Sequence, residues 1–132
     1  LGFTLDEYQR QIDFNKSETD NTTPVLIQGL ITKKDCFSII RKEGIELPEI
    51  YSHGFPNANC IGCVKGGKGY WNKIRNDFPE AFDRMAKLER KKGHTIFKDC
   101  YLDELPLDAG NYPQEPDIQC GIFCHLAEED IN

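Results

Sequence analysis

The chain has 132 residues, of which 39% are apolar and 29% charged, and its formal net charge is −6. This composition is typical of a globular domain and excludes disordered and fibrous classes. No apolar run approaches the roughly 20 residues of a membrane span, and no basic and then apolar signal segment is present. We therefore expect a cytoplasmic protein without a membrane partner. Because the chain begins with Leu1 rather than Met, we expect a portion of a longer protein.

Three elements are predicted in the N-terminal third. Residues 5–14 carry apolar side chains at helical spacing, with Thr4 as the N-cap. The short apolar run 24–27 predicts a buried strand. Residues 32–35 form a capping box with Asp in place of Glu, which predicts a helix that ends near Gly44.

The rest of the chain predicts further helices and a tail. We predict a short helix at residues 70–74. The sequence at 77–79 is expected to end this helix and to start another, because proline is tolerated in a first turn. That second helix ends near Gly93, after a basic last turn. Residues 95–97 predict a strand. From residue 99 onward, acidic and proline-rich sequence predicts an extended tail that lies over the domain.

Charge is distributed unevenly along the chain. Residues 65–92 contain nine Lys/Arg and four Asp/Glu, whereas residues 99–132 contain nine Asp/Glu and no Lys or Arg. A basic middle beside an acidic tail indicates either a local anion site or two solvated faces of opposite charge. We do not expect a nucleic-acid partner from this pattern.

The strongest motif is the pair Cys60-Ile-Gly-Cys63, whose spacing lets two thiolates face one metal ion or redox centre. A second pair, Cys120 and Cys124, follows near the C-terminus. Four thiolates from two turns suit tetrahedral zinc and a [4Fe–4S] cluster equally well, with a redox dithiol or unpaired thiols as alternatives. A closed metal site would also hold the acidic tail in place. Cys100 is a reserve ligand.

A glycine- and lysine-rich loop follows the first cysteine pair and opens a helix. It lacks the spacing of a P-loop or a dinucleotide fingerprint. Its glycines expose backbone N–H groups and the helix contributes its positive end, which favours phosphate or sulfate. The alternative is a glycine-rich connector with solvated lysines. We expect Tyr70 and Trp71, just beyond the loop, to lie in the core. The candidate anion-binding cations are Lys65, Lys68, Lys73 and Arg75.

The order of these landmarks resembles the second half of the phosphoadenosine phosphosulfate (PAPS) reductase family. The matching landmarks are the threonine-led helix 31–40, the proline turn 45–48, the pair Gly54-Phe55, and Cys60-Ile-Gly-Cys63. The opening residues 2–7 together with Arg10 resemble a family segment that helps to bind substrate. Residues 59–90 are closest to phage and bacterial members described as PAPS-reductase-like. The resemblance covers most of residues 1–90.

This resemblance implies an α/β fold of the adenine-nucleotide α-hydrolase type, with a mostly parallel sheet. The chain would be its helix-rich C-terminal portion, with few short strands and an extended cysteine-containing tail. Residues 1–58 would belong to the α/β part, residues 59–93 would hold the cysteine turn and loop, and residues 94–132 would form the acidic tail. Family members bind an adenylyl sulfate or ATP-like nucleotide through a Ser-Gly-Gly-x-Asp-Ser loop. This sequence lacks that loop, so we expect nucleotide binding by a part that precedes Leu1.

The resemblance also bears on the cysteines. In the family, a pair like Cys60 and Cys63 supplies half of a [4Fe–4S] cluster and an adjacent Cys-Cys pair supplies the rest. No Cys-Cys occurs here, so Cys120 and Cys124 would substitute. The family's C-terminal Glu-Cys-Gly-Leu-His carries a thiolate that attacks the sulfonucleotide, and residues 119–123 partly match it. Cys120 is therefore a candidate catalytic nucleophile and a candidate ligand, and we favour the ligand.

We accordingly expect the longer protein to carry out sulfonucleotide reduction or a related adenylation or sulfur-transfer reaction, and this portion to be inactive alone. The alternative is a non-catalytic, zinc-stabilised binding module in which the cysteines are structural.

Overall fold

A computed structural model describes residues 2–17, 22–112 and 114–118. These residues fall into two compact units that divide between Pro48 and Glu49. Within the described ranges the regular structure is helical and contains no strand, which confirms the prediction of a helix-rich chain. None of the described helices has both the length and the apolar character needed to cross a membrane.

The first unit contains three helices that begin on local signals. They are α1 (Tyr8–Ser17), α2 (Val25–Gln28) and α3 (Lys33–Lys42). A 3-10 turn (Leu5–Glu7) leads into α1, and the amide and hydroxyl of Thr4 both donate to the carboxylate of Glu7. At the start of α3, the hydroxyl of Thr32 accepts from the N–H of Asp35 at 3.2 Å. Both predicted N-caps are confirmed.

The predicted strand at residues 24–27 is wrong. Val25–Gln28 forms a single helical turn, in which the N–H of Gln28 donates to the carbonyl of Pro24 at 3.0 Å. Ile27 is the one buried apolar side chain among the described residues of this unit. A four-residue apolar run has no readable periodicity, so the pattern alone does not separate a buried strand from a helical turn.

The second unit contains the hydrophobic core. Its two long helices, α4 (Lys68–Asp77) and α5 (Pro79–Lys92), pack against each other. Pro79 takes the first position of α5, where its missing N–H costs no hydrogen bond, and α5 ends at Gly93 with a φ of +68°. These predicted boundaries are confirmed. The side chains of Trp71, Ile74 and Leu102 are fully buried.

The acidic segment after α5 was predicted to form an extended tail, but its residues 102–105 enter this core. Leu102–Glu104 is a 3-10 turn, and Leu102 and Leu105 are 0% and 3% exposed. The carboxylate of Glu89, which is itself buried, accepts the N–H groups of Ile96 and Leu102, both at 2.6 Å. The predicted strand at 95–97 is also wrong, because the Ile96 N–H bonds to this carboxylate and not to a neighbouring strand.

Candidate functional site

Cys60 and Cys63 lie at the two ends of a hydrogen-bonded turn. The N–H of Cys63 donates to the carbonyl of Cys60 at 3.1 Å, and Gly62 has a φ of +79°. A positive φ at the third position is the arrangement of a type II turn, where glycine is favoured. A second turn follows at once, because the N–H of Gly66 donates to the carbonyl of Cys63 at 3.0 Å. Cys60 is exposed and Cys63 is half-buried.

The hydroxyl of Tyr70 binds this turn from the core side. It accepts the N–H groups of Gly62 and Cys63 at 3.0 and 3.1 Å and donates to the carbonyl of Cys60 at 2.9 Å. The Tyr70 side chain is 3% exposed and packs edge-to-face with Trp71. Burial raises the pKa of Tyr70 above its ordinary value, so the hydroxyl keeps the proton that it donates. The core therefore fixes the backbone of the cysteine turn.

The described residues supply two of the four predicted thiolates. Within them, no group of three or more His, Cys, Asp or Glu side chains is arranged to hold a metal ion. Cys120 and Cys124 lie outside the described residues. Cys100 packs against the hydrophobic core, and burial raises the pKa of its thiol, which disfavours the thiolate that a metal requires. Soft thiolates from a tight turn fit half of a zinc or iron–sulfur site.

The chain that leads to the second cysteine pair lies beside the first. We call residues 102–112 and 114–118 the strap. Ile118, its last residue, lines a cavity of about 30 Å³ together with Asn59, the residue before Cys60. Cys120 follows Ile118 by two residues in the sequence and lies outside the described residues.

The positive end of α4 is occupied by a carboxylate of the same chain. The N–H groups of Gly69 and Tyr70 donate to the two carboxylate oxygens of Glu115 at 2.6 and 2.9 Å. An anion at this position is what the glycine loop predicts, since the first N–H groups of a helix have no intrahelical acceptor. Here the strap provides the anion.

The glycines of the loop allow the strap to approach the start of α4 closely. A Cβ atom on Gly67 would lie 2.5 Å from an oxygen of Glu115, and one on Gly69 would lie 2.5 Å from the amide nitrogen of Tyr112. A Cβ atom on Gly110, within the strap, would lie 2.0 Å from the nitrogen of Gly69. A larger residue at Gly69 or Gly110 would meet backbone and push the strap away from α4, whereas at Gly67 it would displace the side chain of Glu115.

Three of the predicted anion-binding lysines lie on this unit. Lys68 pairs with Asp99 at 2.5 Å, and this pair raises the pKa of Lys68 and lowers that of Asp99. Lys73 pairs with Asp77 at 2.7 Å, one helical turn along α4. Lys65 is exposed. Carboxylates of the chain thus engage both Lys68 and Lys73.

The two predicted arginines have internal partners as well. The guanidinium of Arg75 donates to the carbonyls of Leu102 and Leu105 at 3.0 and 2.9 Å, and so binds the strap where it enters the core. Arg10 belongs to the first unit, where it forms an ion pair with Glu7.

The sequence did not predict three groups whose hydrogen bonds hold the cysteine turn and the strap. They are the Tyr70 hydroxyl, the Glu115 carboxylate and the amide of Asn72. The Asn72 amide donates to the carbonyls of Pro106 and Ala109, both at 2.8 Å. The available signal was the density of glycines around residue 67, which indicates that another chain segment approaches closely.

Comparisons of the chain with protein-family models, with curated proteins and with solved structures found no match.

Proposed function

We propose that this chain is the metal-binding C-terminal portion of a PAPS-reductase-like protein. In this proposal Cys60, Cys63, Cys120 and Cys124 bind zinc or a [4Fe–4S] cluster. The observation that carries it is the course of the strap, which docks on α4 and ends at a cavity bordered by the residue before Cys60. The first pair is held in a turn by the core, and the second pair follows directly from the docked strap.

The donor set suits a closed metal site. Zinc bound by four thiolates would contribute folding energy, whereas a cluster would supply electron transfer. The turn is held by three hydrogen bonds to Tyr70, which fix the backbone that carries its two cysteines. Thiols stay reduced in the cytoplasm, where we place the protein.

The activity of the longer protein is the least direct part of this proposal. It would be sulfonucleotide reduction or a related adenylation or sulfur transfer on an α/β nucleotide-binding fold, and its support is the sequence resemblance. Cys120 keeps its competing role as nucleophile. Lys68 and Arg75 would have to exchange their carboxylate and carbonyl partners in order to bind phosphate or sulfate.

A second candidate function is a non-catalytic binding module stabilised by zinc. The observation that favours it is the internal engagement of the helix end, since Glu115 already accepts from the N–H groups of Gly69 and Tyr70. A module of this kind needs the cysteines for stability and no nucleotide.

Metal analysis of anaerobically purified protein tests the proposal. We expect one metal site per chain, with the visible absorbance of an iron–sulfur cluster or, in colourless protein, stoichiometric zinc. Cys60→Ser and Cys120→Ser should each abolish this metal content. Cys36→Ser, the same change at a cysteine of the first unit, is the matched control and should retain it. Full metal content in Cys120→Ser would contradict the four-cysteine site.

Nucleotide binding by the longer protein separates the two candidates, because the reductase-like assignment places the nucleotide loop before Leu1. Saturable binding of PAPS or ATP to that longer protein, weakened by Lys68→Ala, supports the reductase-like assignment. A zinc-containing longer protein that binds neither nucleotide supports the binding module.

A further inference from the structure

We infer that Tyr70 and Glu115 couple docking of the strap to metal binding at the cysteine turn, so that each strengthens the other. This inference rests on the proposed metal site. Tyr70 and Glu115 are positioning residues in it, because they act on the cysteines through the backbone.

Tyr70 is the residue at which the two regions meet. Its N–H donates to Glu115 of the strap, and its hydroxyl makes all three hydrogen bonds to the Cys60–Cys63 turn. The side chain is packed in the core at 3% exposure, so backbone and hydroxyl move as one body. A change that loosens the start of α4 therefore loosens the turn as well.

Glu115 forms the strap's hydrogen bonds to the N–H groups at the start of α4, and Ile118, further along the strap, packs against the hydrophobic core. Nearer the start of the strap, the side chains of Asn72 and Arg75 bind its backbone carbonyls. Glu115 lies three residues before Ile118 and five before Cys120. The two bonds of Glu115 and the packing of Ile118 together hold the last described residues of the strap on the second unit.

The glycines show that this close approach is built into the sequence. Gly69 lies in the first turn of α4, where a Cβ atom would lie 2.5 Å from the backbone nitrogen of Tyr112 in the strap. Gly67 precedes the helix with extended backbone, φ −74° and ψ 179°, which any residue can adopt. Its small size is therefore needed for the neighbouring carboxylate and not for backbone conformation.

Coupling of this kind is reciprocal. If strap docking strengthens metal binding by a given factor, metal binding strengthens docking by the same factor. Glu115 makes two hydrogen bonds as a charged acceptor, the stronger class of such bonds. We expect their loss to weaken metal binding about tenfold.

The test uses zinc and Glu115→Gln, which keeps the shape of the side chain and removes its charge. Zinc affinity is measured by competition with a chromophoric chelator. We expect affinity about tenfold below that of the wild-type chain. Asp117→Asn, the same change of charge at an exposed residue of the strap, is the matched control and should bind zinc as the wild type does.

Gly67→Ala gives an independent variant that keeps every charge. Its methyl group would lie 2.5 Å from a Glu115 oxygen and should displace the carboxylate, with the same loss of zinc affinity. Gly2→Ala is its control, because a Cβ at that position meets nothing within 4 Å.

Hydrogen exchange supplies the reciprocal measurement. In wild-type protein, zinc should slow exchange of the Gly69 and Tyr70 amides about tenfold, and in Glu115→Gln this protection should disappear. Zinc binding that is equally tight in wild type, Glu115→Gln and Gly67→Ala would overturn the coupling and leave the proposed site intact. A wild-type chain that binds no metal would overturn both, so the two failures are distinguishable.

Discussion

The two units of this chain are stabilised by different kinds of contact. In the first, helices begin at local caps, and Ile27 is the one buried apolar side chain among the described residues. In the second, ten buried apolar residues form one cluster, which includes residues 50 and 105. The cysteine turn belongs to the second unit. The hydrogen bonds of the turn join residues close in sequence, but Tyr70, which makes three of them, is held in this cluster. The turn therefore depends on core packing that local sequence signals do not describe.

The largest effect is expected where the acidic strap enters the core. Leu102→Ala should lower the free energy of unfolding by about 2–5 kcal/mol, because it opens a cavity at a fully buried position. Leu107→Ala is the control in the same segment, since Leu107 is 80% exposed and its truncation should change stability by less than about 0.5 kcal/mol. Urea unfolding measures both. Equal effects would mean that the strap does not contribute to the core.

A buried carboxylate should give the next largest effect. In the wild type, each carboxylate oxygen of Glu89 accepts one backbone N–H group. Glu89→Gln keeps the volume of the side chain but replaces one of these oxygens with an NH₂ group, which cannot accept that hydrogen bond. We expect a loss of about 1.5–3 kcal/mol in the free energy of unfolding, as for hydrogen bonds to charged groups. Asp83→Asn, at an exposed position of the same helix, should change stability little. A wild-type urea midpoint for Glu89→Gln would show that the carboxylate is dispensable.

Removal of the Tyr70 hydroxyl should cost less, because the ring stays packed. Tyr70→Phe removes the oxygen that accepts the N–H groups of Gly62 and Cys63. We expect the free energy of unfolding to fall by about 1–2 kcal/mol at neutral pH. Tyr51→Phe, at a half-buried tyrosine of the same unit, is the comparison. If both variants unfold at the same urea concentration, the hydroxyl does not stabilise the turn.

The same variant makes the pH dependence testable. Burial raises the pKa of Tyr70 above its ordinary value of 10.0, so the folded state holds the phenolic proton more tightly than the unfolded state does. The resulting stability is present below pH 10 and is lost as the pH rises through the folded-state pKa. The stability difference between wild type and Tyr70→Phe should therefore shrink in urea titrations above about pH 10. A constant difference would contradict the shift.

Sequence predicted those features whose cause is local. Thr4 and Thr32 occupy N-cap positions and donate to carboxylates three residues further on, and Pro79 and Gly93 mark the ends of α5 by their own backbone preferences. The glycine loop was predicted either to bind phosphate or sulfate or to be a connector with solvated lysines. Its occupant was not identified, because Glu115 is 45 residues from Tyr70 and no spacing rule connects them.

The wrong predictions concern segments whose structure depends on distant parts of the chain. Residues 24–27 and 95–97 are too short to show a period, so their apolar and β-branched side chains favoured strands that the described chain does not form. Leu102 and Leu105 stand among acidic residues, and their burial depends on the face that α5 presents to them. The charge of that segment indicated exposure, whereas two apolar side chains determine its position.

The smallest effect is expected at a local cap of the first unit. Thr32→Ala removes the hydroxyl that accepts from the N–H of Asp35, and loss of an N-cap typically costs about 1 kcal/mol. Because α3 has no buried residue, this cap is a large part of what stabilises it. Amide exchange in α3 should accelerate about fivefold. Ser38→Ala is the control, since its hydroxyl donates to the Lys34 carbonyl within the helix, and alanine is the better helix former. Similar exchange in the two variants would mean that α3 is stabilised by something other than its cap.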